Sequence, residues 1–303
     1  MLRSPRPPGA LNPLRSLVLL AALLISPSVL ASQKWEPATV ATTASFRGLS
    51  VVDDRVVWAS GTRGTVARSI DGGVTWGVDS LPGASAFDLR AIHARNALVA
   101  HVAATAGRIW RTTDGGKSWS LRYQAADTSM FLDAIAFTDD RNGIALGDPI
   151  GGRFVLLVTR DGGETWSESA TESQPQAMKG EAAFAASGTS LVLAGHLGWI
   201  GTGGSVSRVF RTADGGRSWM ASPSAIPPRE GKGGVFSVAF ADSLHGVVVG
   251  GDYERPDSSN GTAAYSTDGG MTWRAASRFP RGYRSGVTMR RGDRGDLVAI
   301  AVG

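Results

Sequence analysis

The stretch SIDGGVTW (residues 69–76) is the first of five copies of one phrase, and this phrase decides the fold. The other copies read TTDGGKSW (112–119), TRDGGETW (159–166), TADGGRSW (212–219) and STDGGMTW (266–273). Successive aspartates lie 43, 47, 53 and 54 residues apart. A repeat of roughly 40–50 residues is the size of one four-stranded blade of a β-propeller. The sequence therefore predicts an all-β propeller.

The chemistry of the phrase is that of a hairpin turn. Asp-Gly between strand-like residues is a strong turn signal, because the carboxylate accepts backbone N–H groups and glycine tolerates positive φ. Each tryptophan is expected to begin the outgoing strand and to pack against a neighbouring blade. We therefore interpret both residue types as structural: Asp71, Asp114, Asp161, Asp214 and Asp268, with Trp76, Trp119, Trp166, Trp219 and Trp273. The phrase matches the Asp-box, or BNR repeat, of sialidases, sortilin-type receptors and photosystem II stability/assembly factors.

A strand of small residues should line the axis of each blade, because the blades crowd together there. Six such inner strands are predicted, at residues 46–50, 89–92, 132–137, 181–184, 236–240 and 283–287. Residues 297–303 form the second strand of a sixth blade, so about 5.5 blades are expected. Residues 33–40 resemble an outgoing strand that closes a ring. A complete relative should have seven blades, and we expect that the chain is truncated or frameshifted after Gly303.

The first 31 residues have the features of a signal peptide. Arg3, Arg6 and Arg15 precede an apolar run at 17–24, and small or apolar residues lead to a cleavage site after Ala31. The alternative is an uncleaved N-terminal anchor. We therefore expect a signal peptide at 1–31, a propeller domain at 32–303, and export to the periplasm or the medium.

The charge of the mature chain is close to balance. The formal net charge of +5 falls to +2 on cleavage, because 28 basic and 26 acidic side chains are left. No basic patch typical of nucleic-acid binding stands out. Cysteine is absent, which excludes a lipoprotein anchor. The four histidines lack the spacing of metal ligands, and neither a metal site nor a cofactor motif is predicted.

Polar residues at the starts of the inner strands are the candidates for a binding site, because propeller sites form where blade loops meet the axis. They are Arg47, Arg90, Asp133, Glu181, Tyr283 and Arg284. One interpretation is a hydrated channel lined by charges that neutralise one another, since unpaired charges at an axis are costly. A second is a mouth whose arginines capture a carboxylate or an acidic loop of a partner.

A third interpretation is sialidase-like catalysis, which the Asp-box resemblance makes worth weighing. Sialidases hold a carboxylate with three arginines and use a tyrosine nucleophile. Arg47, Arg90 and Arg284 would form the triad, Tyr283 with Glu181 the nucleophile pair, and Asp133 the acid. The family's Phe-Arg-Ile-Pro motif is FRGL at 46–49, which loses its last two positions. Glycan binding belongs to this alternative only.

The whole of 33–303 most resembles the photosystem II stability/assembly factor family. The resemblance rests on the five Asp-boxes and on the phrases FRGL (46–49), DDRNGIA (139–145) and DSLHGV (242–247). It implies an exported, non-catalytic propeller that acts as an assembly scaffold, with a protein partner such as a membrane complex. It also implies a monomer without cofactor. The source of the chain and the partner are not implied by it.

Overall fold

The computed structural model describes residues 36–229 and 231–303, so the predicted signal peptide lies outside the described residues. Ala38–Gly303 forms one compact unit. Strands are built into antiparallel sheets. In the described residues, the one helix is a short 3-10 turn at Thr171–Ser173, and no helix is long and apolar enough to span a membrane. The predicted all-β propeller fold is confirmed.

Each repeat forms one blade whose strands pair in sequence order. Blade 1 holds β1 (Phe46–Val51), β2 (Val57–Gly61), β3 (Thr65–Ser69) and β4 (Gly77–Ser80). Blade 2 holds β5 (Leu89–Ala94), β6 (Ala100–Ala104), β7 (Arg108–Thr112) and β8 (Ser120–Gln124). Blade 3 holds β9 (Leu132–Phe137), β10 (Gly143–Ile150), β11 (Arg153–Thr159) and β12 (Ser167–Glu168).

The later blades follow the same plan with additions. The two-residue strands β13 (Glu181–Ala182) and β16 (Gly203–Gly204) extend the sheet of blade 5. Blade 4 holds β14 (Leu191–Ala194), β15 (Leu197–Gly201), β17 (Arg208–Thr212) and β18 (Met220–Pro223). Blade 5 holds β19 (Gly233–Phe240), β20 (Gly246–Asp252), β21 (Ala263–Ser266) and β22 (Arg274–Ala275). The sixth sheet is the pair β23 (Gly286–Arg291) and β24 (Leu297–Val302).

The inner strand predicted at 181–184 is wrong. Glu181 and Ala182 pair with Gly204 and Gly203, while the inner strand of blade 4 is β14. The reason is the hairpin: Ala194 pairs with Leu197 across a two-residue connection, so the nearest segment takes the place beside β15. The prediction of a strand over 33–40 also fails for its described part, because residues 36–40 lie beside no pairing strand and are irregular.

All five Asp-boxes have the same hydrogen-bond pattern. In the first, Asp71 accepts the Ser69 hydroxyl at 2.8 Å, the Thr75 amide at 2.9 Å and the Thr75 hydroxyl at 2.5 Å. The side-chain hydrogen bond from Thr75, then its amide, lowers the pKa of Asp71 to about 2. The pKa values of the other four box aspartates are also lowered to about 2. Each box aspartate is thus bound inside its own turn, which is the geometry that a structural role requires.

The hydrophobic core lies between blades rather than within them. Five clusters of buried apolar residues occur, one at each junction between consecutive blades. The second glycine of a box contacts the preceding blade: a Cβ on Gly116 would lie 3.5 Å from the Trp58 ring, and one on Gly270 would lie 2.8 Å from Trp199 Nε1. These glycines also have φ near +85°. The box is therefore a turn and an inter-blade contact at once.

The main chain that enters blade 4 lies against several other inner strands. A Cβ on Gly188 would lie 3.5 Å from the Ala91 Cβ of blade 2 and 3.9 Å from the Gly48 Cα of blade 1. The Thr189 hydroxyl is 2.6 Å from the Ser237 hydroxyl of blade 5. Protein therefore fills the axis at this level, in the space that a hydrated channel would need.

Two histidines in blade 2 should make the fold sensitive to mild acid. Burial lowers the pKa of His93 to about 4 and that of His101 to about 3, with smaller effects of Arg95 and Arg111. His101 Nε2 donates to the Gly162 carbonyl at 3.0 Å, and its buried Nδ1 has no partner among the described residues. In the unfolded chain both rings take up protons near pH 6.5. Protonation therefore favours unfolding as pH falls below that value.

We expect protonation of the two histidines to lower the free energy of unfolding by several kcal/mol between pH 7 and pH 4.5, whereas the buried carboxyls Asp133 and Asp148, whose pKa values are raised, act in the opposite direction. Urea denaturation at each pH measures the sum, and comparison with a histidine variant isolates the histidine part. The variant His101→Gln keeps a donor for Gly162 but does not titrate, so its loss over this range should be smaller. The matched control is His196→Gln, since His196 is exposed. Equal pH dependence in His101→Gln and the parent protein would contradict the assignment.

Candidate binding site

Four inner strands carry a β-bulge at the same position, near their N-terminal end. The register of each shifts by one residue relative to its second strand, which leaves one residue unpaired. Bulges re-aim a side chain and are common at the rims of closed β-structures. The bulged residues are Arg47 in blade 1, Arg90 in blade 2, Asp133 in blade 3 and Phe236 in blade 5. Three of them are residues that the sequence analysis singled out.

Arg90 extends toward blade 3. Its guanidinium lies 5.0 Å from the centre of the Phe131 ring and 3.4 Å from the carboxylate of Asp88. Burial and the charge of Asp148 raise the pKa of Asp133 well above its ordinary value, and Arg90 opposes this shift. Burial also raises the pKa of Asp148, whose carboxylate accepts the Ala183 amide at 3.1 Å. The structure thus places Asp133 beside Arg90, with Asp148 as a partner that sequence reasoning missed.

Arg47 has hydrogen-bonding capacity to spare. The side chain is half-buried, and its Nε is shielded from solvent. Within the described part of the chain, no carboxylate or carbonyl pairs with this guanidinium. The buried Nε of Arg90 has no partner there either. The guanidinium of Arg47 therefore has N–H donors free for an arriving acceptor, and that of Arg90 is already paired with Asp88.

Aromatic side chains cluster around the fourth bulged residue, in blade 5. Phe236 stacks on Phe184 at 3.9 Å between ring centres and meets the Tyr283 ring edge-on at 4.8 Å. Tyr253 lies 6.3 Å from Phe236 and is 46% exposed. The bulge at Phe236 explains the cluster, because it turns this ring out of the regular alternation. Phe236 was not among the predicted site residues, although a large side chain in a run of small ones was a visible signal.

The remaining predicted residues have other roles in the structure. Burial raises the pKa of Tyr283 to about 12, with a small opposing hydrogen bond from Ser285. Glu181 is fully buried, pairs with Arg208, and accepts the Thr202 hydroxyl at 2.6 Å and the Met178 amide at 2.9 Å. None of the hydrogen bonds of Glu181 within the described residues involves Tyr283. The nucleophile pair of the sialidase interpretation is therefore not assembled.

Arg284 is turned back on its own backbone. Its guanidinium donates to the carbonyls of Tyr283 at 2.7 Å and Gly303 at 3.1 Å. Among residues 36–229 and 231–303 no group of three or more histidines, aspartates or glutamates is arranged to hold a metal ion. Of the predicted arginines, Arg47 and Arg90 are thus the two that bulges hold on neighbouring inner strands.

Family models match two segments of the chain. The photosynthesis system II assembly factor YCF48 model matches residues 27–125, a range that contains Arg47 and Arg90, and the BNR/Asp-box repeat model matches residues 264–275. The protein is an Asp-box β-propeller similar to photosystem II assembly factors. No curated protein matches the chain significantly.

Solved structures share the propeller fold at low sequence identity. The GH74 enzyme of Niastella koreensis is 14% identical with a TM-score of 0.60, and the match covers 80% of this chain and 42% of the enzyme. The Neurospora crassa Pan2 WD40 domain is 11% identical with a TM-score of 0.56, over 86% of this chain and 73% of that one. A YCF48 structure with a bound D1 peptide is 19% identical at TM-score 0.44, covering 81% and 85%. The Asp-box propeller thus spans under half of the GH74 enzyme.

Proposed function

We propose that this protein is an exported, non-catalytic binding propeller that holds a carboxylate-bearing segment of a protein partner at the Arg47–Arg90 site. In this role it would act as an assembly scaffold for a membrane complex, as a monomer and without a cofactor. Export follows from the signal peptide expected at residues 1–31.

One observation carries the proposal: neighbouring inner strands hold Arg47 and Arg90 at equivalent bulges, and the guanidinium of Arg47 has no partner among the described residues. Two guanidinium groups held by adjacent strands suit a carboxylate, which accepts paired N–H donors. The similarity to the YCF48 model over residues 27–125 supports the assembly role.

The test is recovery of the partner from membranes of the source organism. Tagged protein and the variants Arg47→Glu and Arg90→Glu are used as bait, and bound proteins are identified and quantified by mass spectrometry. Charge reversal should reduce recovery of the subunits of one membrane complex by about tenfold or more, because an attraction becomes a repulsion. Arg274→Glu in the outer strand β22 is the matched control and should recover the partner normally.

Two results would contradict the proposal. One is equal recovery by the parent protein and both mouth variants, which would move the interface elsewhere. The other is recovery of nothing beyond the proteins that also bind an unrelated bait. Circular dichroism and a thermal melt of each variant verify that the fold is intact before the comparison is made.

Glycoside hydrolysis is the second candidate, and the carboxyl pair Asp133 and Asp148 is the observation in its favour. Both have raised pKa values, as a general acid requires. The assay is cleavage of fluorogenic sialosides and xyloglucan oligosaccharides. Turnover that is lost in Asp133→Asn and in Tyr283→Phe would establish catalysis. Absence of turnover with retained partner binding leaves the binding function.

A further inference from the structure

Three of the four junctions between the complete blades are bridged by the same kind of side-chain pair. A side chain in the second strand and one in the third, paired across the sheet, reach the turns of the next blade. From blade 1, Trp58 and Arg68 donate to the carbonyls of Asn96 and Ala97. From blade 2, His101 bonds the Gly162 carbonyl and Arg111 pairs with Glu164. From blade 4, Trp199 and Arg211 both donate to the Gly269 carbonyl.

The junction between blades 3 and 4 lacks this device. The equivalent cross-strand pair is Ile144 and Val158, which are too short and too apolar to bond the next turn. A Cβ on Gly215, the first glycine of the fourth box, would meet no atom within 4 Å. At the equivalent Gly115 it would lie 2.2 Å from the Arg68 guanidinium. An open cleft of about 290 Å³ lies beside Ile144 and Val158, whereas the cleft of about 380 Å³ at the junction of blades 1 and 2 is lined by Trp58 and Arg68 instead.

The cleft has an aliphatic floor and basic residues at its rim. Its apolar lining comes from both blades: Ile144, Val158, Leu193 and Leu197. Arg160 from the third box and Arg217 from the fourth stand at its rim, and both are exposed. At the same two positions, the junction of blades 1 and 2 has Ile70 and Lys117. Of these two junctions, the one between blades 3 and 4 alone has two arginines at its rim.

At the cleft, the acidic side chains have hydrogen-bond partners among the described residues and the two rim arginines do not. Two carboxylates line the cleft, Asp139 and Asp214, and each is bound inside its own turn. Asp139 accepts the amides of Arg141 and Asn142, and Asp214 accepts two amides and two hydroxyls of its box. The guanidinium groups of Arg160 and Arg217 have no partner in the described part of the chain. The guanidinium N–H groups are therefore the donors left without partners there, so a ligand of this cleft must bring hydrogen-bond acceptors.

We propose that this cleft is a second binding site, which takes a peptide group in which a leucine- or isoleucine-sized side chain adjoins a carboxylate. The aliphatic side chain would cover the floor, and the carboxylate would lie between Arg160 and Arg217. The carboxylate comes either from a chain terminus or from an acidic side chain. The cleft lies at the C-terminal ends of the inner strands, whereas Arg47 and Arg90 lie at their N-terminal ends. The two sites are therefore independent.

Small probes separate the two parts of this chemistry. N-acetyl-leucine carries both groups, N-acetyl-leucinamide lacks the carboxylate, and N-acetyl-glycine lacks the aliphatic side chain. Binding to the full chain is measured by saturation-transfer NMR. N-acetyl-leucine should bind with a Kd on the order of 1 mM, and each of the other two should bind about tenfold more weakly. N-acetyl-Leu-Glu-amide tests an acidic side chain as the source of the carboxylate.

Substitutions locate the binding. Val158→Arg introduces the residue that blades 1, 2 and 4 carry at this position, so it should replace part of the aliphatic floor with a charged side chain and abolish binding. Arg217→Ala should weaken binding of N-acetyl-leucine about tenfold. Lys117→Ala changes the position equivalent to Arg217 at the junction of blades 1 and 2, and it should leave binding unchanged. Thermal melts establish that each variant is folded.

These outcomes decide the proposal independently of the partner-recovery experiment at the Arg47–Arg90 site. Preference for N-acetyl-leucine that Val158→Arg removes supports it, and a preference for N-acetyl-Leu-Glu-amide supports it with a side-chain carboxylate. Equal binding by Val158→Arg and the parent protein overturns it, as does a lack of saturation transfer to every probe. If Val158→Arg does not fold, loss of binding in Arg217→Ala but not in Lys117→Ala decides the question.

Discussion

Replacing Trp199 with alanine should lower the free energy of unfolding by about 4 kcal/mol. The side chain is completely buried between blades 4 and 5 and stacks on Phe240 at 3.7 Å between ring centres. Its Nε1 donates to the Gly269 carbonyl at 2.8 Å, which ties blade 4 to the fifth box. The variant loses the buried ring, creates a cavity and leaves a carbonyl without this donor. Urea denaturation at pH 7 measures the difference.

The control for this prediction is Trp76→Ala. Trp76 is the box tryptophan of blade 1; it is only half-buried, and its Nε1 donates to Gly73 in its own turn at 3.0 Å. Its removal should cost clearly less than the removal of Trp199, since less apolar area leaves contact. Equal losses of unfolding free energy in the two variants would show that the position of Trp199 between two blades adds nothing to stability.

Replacing Arg208 with methionine should destabilise the fold by about 3–5 kcal/mol at neutral pH, because it leaves a buried carboxylate unpaired. The Glu181 side chain is fully buried, and Arg208 Nε donates to it at 2.9 Å. The same guanidinium donates to the Gln176 carbonyl at 3.0 Å, so the pair also holds the connection that precedes β13. Thermal and urea unfolding measure the loss.

The double variant Glu181→Leu with Arg208→Met separates charge from packing. Removing both members of a buried ion pair is often nearly neutral, so the double variant should regain most of the stability lost in Arg208→Met. A double variant that is no more stable than Arg208→Met alone would mean that the loss comes from packing of the arginine side chain rather than from the unpaired charge of Glu181.

The repeat could be interpreted from sequence because its information is local. Asp71, Thr75 and the glycines between them form one turn, and every contact that defines it spans at most four residues. Such a pattern repeats wherever the phrase repeats, so hairpins, outgoing strands and blade size followed from it. The error at 181–184 has the opposite origin. Small residues occur both at 181–184 and before β14, and only pairing with β15 decided which segment is the inner strand.

The candidate sites depended on tertiary structure in different degrees. Arg47, Arg90 and Asp133 were found from their place at strand starts, but their shared bulge depends on register with a second strand and leaves no mark in composition. Glu181 was expected beside Tyr283, whereas Arg208 and Thr202 hold it. The approach of an inner strand to a distant loop is set by how blades pack.

By itself, the sequence determined that this chain is a propeller of Asp-box blades, because the turn chemistry of each box is complete within eight residues. The tertiary structure alone decided which side chains form hydrogen bonds or ion pairs across the junctions between blades and which junction lacks such a pair. Arg68, Arg111 and Arg211 find their acceptors in the next blade, tens of residues away in sequence, and Val158 finds none. Contacts of that range are fixed by the packing of whole sheets, which no local pattern records.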